Sequence, residues 1–137
     1  MTISNPAQGI NTYLNALYFN SNINDLAAIL DENIHLGYIE NREIKYDASG
    51  KEQVLAVYNK LFCNTTDIKV KTYNVSINEN KGCLELTTKK TIENYRSVSG
   101  KSRWIFNDKS RFTFQNRGGS LKITEIIQIV NATNVLQ

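Results

Sequence analysis

The chain has 137 residues, 41% hydrophobic and 21% charged, the make-up of a folded domain with one core and not of a disordered tract. Its 16 Lys and Arg against 13 Asp and Glu leave a net charge of +3, and the basic residues are dispersed, with Lys89-Lys90 the closest cluster, which argues against a nucleic-acid-binding face. No stretch approaches the roughly 20 apolar residues of a membrane span, and two cysteines, Cys63 and Cys83, are too few for a disulfide framework.

Met1 to Ile10 carries no basic stretch followed by an apolar run, so no secretory leader is expected. A cytoplasmic location with two free thiols is the corresponding expectation. Pro6, the only proline, suits the start of a helix. Ile10, Tyr13, Leu14, Leu17 and Tyr18 then form an amphipathic stripe, which Asn20-Ser21-Asn22 breaks. A second, short helix is predicted from Asp25 to Leu30, capped by Asn22 or Asn24.

The period then changes to two. Ile34, Leu36 and Tyr38 alternate with His35, Gly37 and Ile39, the pattern of a strand with two different faces. A short partner strand is predicted over Arg42 to Tyr46. Lys51 to Phe62 reads as a third helix, with Val54, Leu55, Tyr58, Leu61 and Phe62 on its apolar stripe. The rest reads as strand: Ile68–Asn78, Cys83–Tyr95, Arg103–Gln115 and Leu121–Val130, joined by turns containing Gly82, Gly100 and Gly118-Gly119. Sequential hairpins make an antiparallel meander. Helices on one face of such a sheet form an α+β arrangement, and glycine-rich turns between long strands suggest strong bending. The open end of a bent sheet is a favoured place for a ligand.

Three stretches carry a family resemblance. Tyr13-Leu14-Asn15-Ala16-Leu17 through Asn24-Asp25-Leu26 to Asp31-Glu32-Asn33, then Gly50-Lys51-Glu52-Gln53-Val54, then Gly119-Ser120-Leu121-Lys122-Ile123-Thr124-Glu125 resemble, in this order, the nuclear transport factor 2-like superfamily. That superfamily includes the ketosteroid isomerases and the SnoaL-like polyketide cyclases. The resemblance covers nearly the whole chain as one domain. It implies a cone-shaped α+β barrel: three N-terminal helices packed on the concave face of a strongly bent antiparallel, mostly meander, β-sheet. It also implies a homodimer through the exposed face of the β-sheet.

Residue by residue, Tyr13 matches the oxyanion-stabilising tyrosine of the isomerases. Tyr38 stands where their general-base aspartate falls, and Ser110 near their protonated aspartate. A tyrosine, with a reference pKa of about 10, is a poor general base near neutrality. Gln128 is the polar residue nearest the acid/base position of the cyclases, and an amide cannot take that role.

Strand parity relates Trp104, Phe106, Asp108, Ser110, Phe112 and Phe114 to one face. Asp108 is then the remaining acid/base candidate. The polar run Asn107-Asp108-Lys109 also reads as an exposed kink, and that is the preferred reading. His35, the only histidine, alternates with Ile34 and Leu36 and is expected on the face away from the helices. Neither a metal site nor a cofactor is expected, since His and Cys ligands are not clustered.

The leading expectation is a small-molecule-binding domain for an apolar or aromatic ligand, lined by Tyr13, Leu17, Tyr38, Tyr58, Trp104, Ser110, Phe112 and Gln128. One alternative is an isomerase, dehydratase or cyclase using Tyr13 as electrophile and Asp108 as base. The other is an interaction module that pairs through its sheet. Neither nucleic acid nor a membrane is expected as a partner.

Overall fold

The structure is a computed structural model that describes residues 2–16, 23–63, 69–80, 83–93 and 103–136, with side chains described over 2–16, 23–60 and 105–133. The elements in chain order are α1 (Pro6–Leu14), α2 (Ile23–Ile29), β1 (Leu30–Glu40), β2 (Glu43–Ser49), α3 (Lys51–Cys63), β3 (Lys69–Asn80), β4 (Cys83–Glu93), β5 (Arg103–Arg117) and β6 (Ser120–Leu136). Helix α1 starts where local chemistry directs it. The Asn5 side chain accepts from the Gln8 amide at 2.9 Å, Pro6 occupies the first turn, and the Gln8 side chain accepts in return from the Ser4 amide at 2.9 Å. The first bond satisfies an amide that the first turn leaves open, and the second ties down the residue before the cap.

The six strands are ordered β2-β1-β6-β5-β4-β3. Strands β3 to β6 form the expected antiparallel meander, and β1 pairs antiparallel with β2. The junction between the two parts differs from expectation: β1 and β6 run parallel, so the sheet is mixed. From β2 the chain passes through α3 to the far edge at β3 and returns by hairpins to β6, which lies beside β1 in the same direction. Parallel neighbours need such a long connection, and the helix supplies part of it. The result is the α+β cone, with the helices on the inner face of an open sheet.

Boundaries also moved: β2 runs from Glu43 to Ser49, where Arg42 to Tyr46 was expected. Leu30, expected in α2, pairs with Ile123 as the first residue of β1. Strand β6 continues past Val130 through the polar run Asn131-Ala132-Thr133, where Asn41 holds it. Asn41 lies at φ 51°, an orientation asparagine tolerates in turns. Its side chain accepts from the Ala132 amide at 2.8 Å and donates to the Ala132 carbonyl at 3.1 Å. Asn41 thus pins the hairpin tip to β6 through its side chain.

The main core lies between helices and sheet. Ile10, Tyr13, Leu14, Leu26, Ile29, Val54 and Tyr58 from the helices meet Ile34, Leu36, Phe112, Phe114, Ile123 and Ile126 from β1, β5 and β6. Burying each of the larger side chains contributes roughly 1.5–3 kcal/mol. Gly9 lets α1 approach the sheet: a Cβ there would lie 2.6 Å from the Phe114 ring. A second, smaller cluster consists of Tyr38, Phe106, Val130 and Ala132, with Tyr46 packed against it, and all of these stand on the sheet.

Candidate functional site

The two clusters share one face of the sheet, and the polar residues of that face fall between them. The strand register fixes the arrangement. One row across β1, β6 and β5 reads Tyr38, Gln128, Ser110, and the next reads Glu40, Val130, Asp108. Phe112 and Ile126 lie on the helix-covered side of these rows, and Phe106 and Ala132 on the other. Asp108, Ser110, Gln128 and Glu40 are all buried, between 3% and 6% exposed.

Three of these side chains form a connected set. Ser110 Oγ donates to Asp108 Oδ1 at 2.7 Å, and Gln128 Nε2 donates to Asp108 Oδ2 at 2.6 Å. Both oxygens of one carboxylate therefore receive a donor. Hydrogen bonds to a carboxylate are about twice as strong as neutral ones, so the set holds its three members in one geometry. On β1, Tyr38 donates its hydroxyl to Glu40 Oε1 at 3.5 Å. The Tyr38 ring meets that of Tyr46 at 5.8 Å with a 58° tilt.

The sequence-predicted residues separate into groups. Tyr13, Tyr58 and Phe112 come together in the main core. The Tyr13 and Tyr58 hydroxyls are 3.1 Å apart, and the Tyr13 ring stands edge-on to Phe112 at 4.9 Å. Tyr38, Ser110, Gln128 and Asp108 occupy the polar rows between the clusters. Leu17 lies outside the described residues. Trp104 stands opposite Asn134 and Ile92 near the start of β5, and its side chain is outside those described.

Asp108 corrects the preferred sequence reading. There is no exposed kink at 107–109: β5 pairs without interruption from Trp104 to Thr113, and Asp108 is 5% exposed. The register shift lies instead between Thr113 and Phe114. Period-two alternation outweighs the local polarity of Asn107-Asp108-Lys109, because the pleat of a paired strand decides which way each side chain points.

Glu40 was missed. It continues the inward series Ile34, Leu36, Tyr38 by one more step of two, and that periodicity was the available signal.

His35 lies on the opposite face, as its parity required. Its Nε2 is 2.7 Å from Asp47 Oδ1 on β2, and its Nδ1 is 3.4 Å from Glu125 Oε2 on β6. The hydrogen bond to Asp47, with a weaker one to Glu125, raises its pKa above 6.5 against the opposing effect of burial. Among the described residues no group of three or more His, Cys, Asp or Glu is arranged to hold a metal ion. Among those residues no helix is long and apolar enough to cross a membrane.

No family model matches the chain, and no curated protein matches it. Solved structures do. An NTF2-like protein of unknown function from Cytophaga hutchinsonii matches with a TM-score of 0.62 at 15% identity, over 88% of this chain and 94% of that one. A protein from Shewanella denitrificans, described as a SnoaL-like polyketide cyclase, matches with a TM-score of 0.70 at 11% identity, over 92% and 91%. An LEH-like epoxide hydrolase from M. tuberculosis matches with a TM-score of 0.61 at 14% identity, over 90% and 80%. At these identities the likeness is one of fold, and different activities occur on that fold.

Proposed function

Starting from a chain that has the fold of the NTF2-like superfamily, we propose that it binds a small, mainly apolar molecule on the concave face, between the main core and the Tyr38–Phe106 cluster. The observation that carries this reading is the buried Asp108–Ser110–Gln128 set. A core built for stability alone favours apolar side chains, because buried polar groups add little net stability and are costly when imperfectly paired. A few placed polar groups beside aromatic and aliphatic walls are the usual composition of a ligand site. The structural neighbours described as a polyketide cyclase and an epoxide hydrolase lend this reading weight.

The test is an NMR screen of the whole chain against small aromatic and alicyclic compounds. Binders should perturb Tyr38, Phe106 and Gln128 and leave Ile129, on the outer face, unchanged. A screen in which every binder maps to the outer face contradicts the proposal.

A second reading has its own observation. Asp108 is a buried carboxyl on the same sheet face as Phe106, where an acid/base group would reach a bound molecule. An isomerase, dehydratase or cyclase would use Asp108 for proton transfer and Tyr13 as hydrogen-bond donor to a developing oxyanion. Against this, the Tyr13 hydroxyl is engaged with that of Tyr58 in the core. Binding therefore ranks above catalysis. An Asp108→Asn variant that turned over an identified substrate at the wild-type rate would remove the catalytic reading.

Self-association through the sheet is supported by the outer face, where Ile129 is 45% exposed beside Lys109. Light scattering should then give twice the 15.6 kDa of one chain. A mass of 15.6 kDa at tens of micromolar would exclude it.

A further inference from the structure

Gln128 has hydrogen-bonding capacity that the described fold does not use. It stands in the middle of the inner face, with Tyr38 and Ser110 beside it across the sheet and Ile126 and Val130 one inward step away on its own strand. A glutamine amide carries one carbonyl oxygen and two N–H groups. Nε2 faces Asp108 Oδ2 at 2.6 Å, which fixes the orientation of the amide, since two oxygens at that distance would repel. One N–H is thereby used. Gln128 is 6% exposed, yet among the described residues nothing donates to Oε1 and nothing accepts from the second N–H.

The neighbours do not supply the missing partners. Ile126 and Val130 have no polar side-chain atom. Ser110, 3% exposed, gives its proton to Asp108 Oδ1, and its Oγ remains an acceptor. Tyr38 directs its hydroxyl proton to Glu40. Asp108 and Glu40 make further interactions within the chain, so the open positions are those of Gln128 and Ser110. Buried polar groups left in this state are uncommon in native proteins and call for a partner.

We infer that the ligand presents a hydroxyl group to Gln128. The inference rests on the small-molecule reading and narrows it. Oε1 needs a donor and the second N–H needs an acceptor, and a hydroxyl is both at once. A ketone or an ether could take the N–H but would leave Oε1 and Ser110 Oγ without a proton. An ammonium group could serve both oxygens but would leave the N–H unanswered. Burying its charge is also costly where the carboxylates are already engaged. A hydrocarbon would serve neither. Tyr38 and Phe106, buried in the adjoining cluster, give the apolar body of such a ligand an aromatic surface.

The experiment titrates the whole chain at pH 7 with four probes of one carbon skeleton, followed by NMR on Tyr38, Phe106 and the Gln128 side-chain amide. The probes are 1-phenylethanol, acetophenone, 1-phenylethylammonium and ethylbenzene, which respectively donate and accept, only accept, only donate, and do neither. The alcohol should bind at least about tenfold more tightly than each of the others. Gln128→Met, similar in size but without the amide, should bring 1-phenylethanol and ethylbenzene within about twofold of each other. Binding of the ketone, the ammonium compound or the hydrocarbon as tight as that of the alcohol would overturn the hydroxyl inference and leave the small-molecule site standing. If none of the four moves those signals, the inference falls together with the site. The comparison of probes on the unaltered protein keeps the test decisive even if the variant folds poorly.

Discussion

Gln128 and Asp108, 20 residues apart in the chain and on neighbouring strands, are joined by a 2.6 Å hydrogen bond inside the sheet's concave face. The bond ties the last strand to β5 at the level where the helix-covered core ends. Ser110 supports the same carboxylate from two residues further along β5. The polar rows are thus positioned by ordinary sheet register, with every member on a paired strand.

Removing the carboxylate should be costly. In Asp108→Ala the Ser110 hydroxyl and the Gln128 amide lose their shared acceptor while remaining buried. The loss should be about 2–5 kcal/mol of unfolding free energy, with Asp108→Asn intermediate because one acceptor oxygen survives. Urea denaturation of the three proteins checks this. Asp108→Ala as stable as wild type would mean that the set is not held as described.

His35 should make stability depend on pH in a defined direction. Its folded pKa is raised above 6.5, chiefly by the hydrogen bond to Asp47, so the folded state binds its proton more tightly than the unfolded chain does. The stabilising contribution is fully present below about pH 6.5 and is lost as pH rises through the folded value. The pair is solvent-exposed, so the effect should be small and salt-sensitive. Wild type compared with His35→Asn should show an advantage at pH 5.5 that shrinks by pH 8.5. An NMR titration of His35 should give a midpoint above 6.5 that falls in Asp47→Asn. A midpoint at or below 6.5 in wild type would refute the raised value.

Gly9→Ala separates two opposing effects. Alanine favours an α-helix over glycine by roughly 0.5–1 kcal/mol. The new methyl, however, would lie 2.6 Å from Phe114 Cε1, so α1 or the ring must move. Overpacking of this kind costs typically about 1–3 kcal/mol, and the clash should win. Thermal melts should show Gly9→Ala below wild type, and Gly9→Ala with Phe114→Leu should recover part of the difference. A Gly9→Ala melting point above wild type would show that Phe114 yields freely.

Much of this architecture is readable from periodicity alone. Ile34, Leu36 and Tyr38 announce the inner face of β1, and Ser110 and Phe112 that of β5. Reading failed where a polar residue occupied an inward position. Glu40 falls on the inward step of β1, and Asp108 sits in a run polar enough to pass for a bend. Both are inward because the pleat carries them there, and in each case local composition gave the opposite impression. Leu30 looked helical because it follows Ala27, Ala28 and Ile29, and only its pairing with Ile123 makes it strand. The parallel junction of β1 with β6 had no local signal, since those strands are about ninety residues apart. The bond from Gln128 to Asp108 is non-local in the same way.

The rows of Tyr38, Gln128 and Ser110 and of Glu40 and Asp108 are the proposed ligand site. A crystal structure of the chain with the tightest compound from the NMR screen tests that directly. The account predicts density on the concave face, in contact with Tyr38, Phe106 and Gln128. Density confined to the outer face, near Ile129 or Ile44, would contradict it.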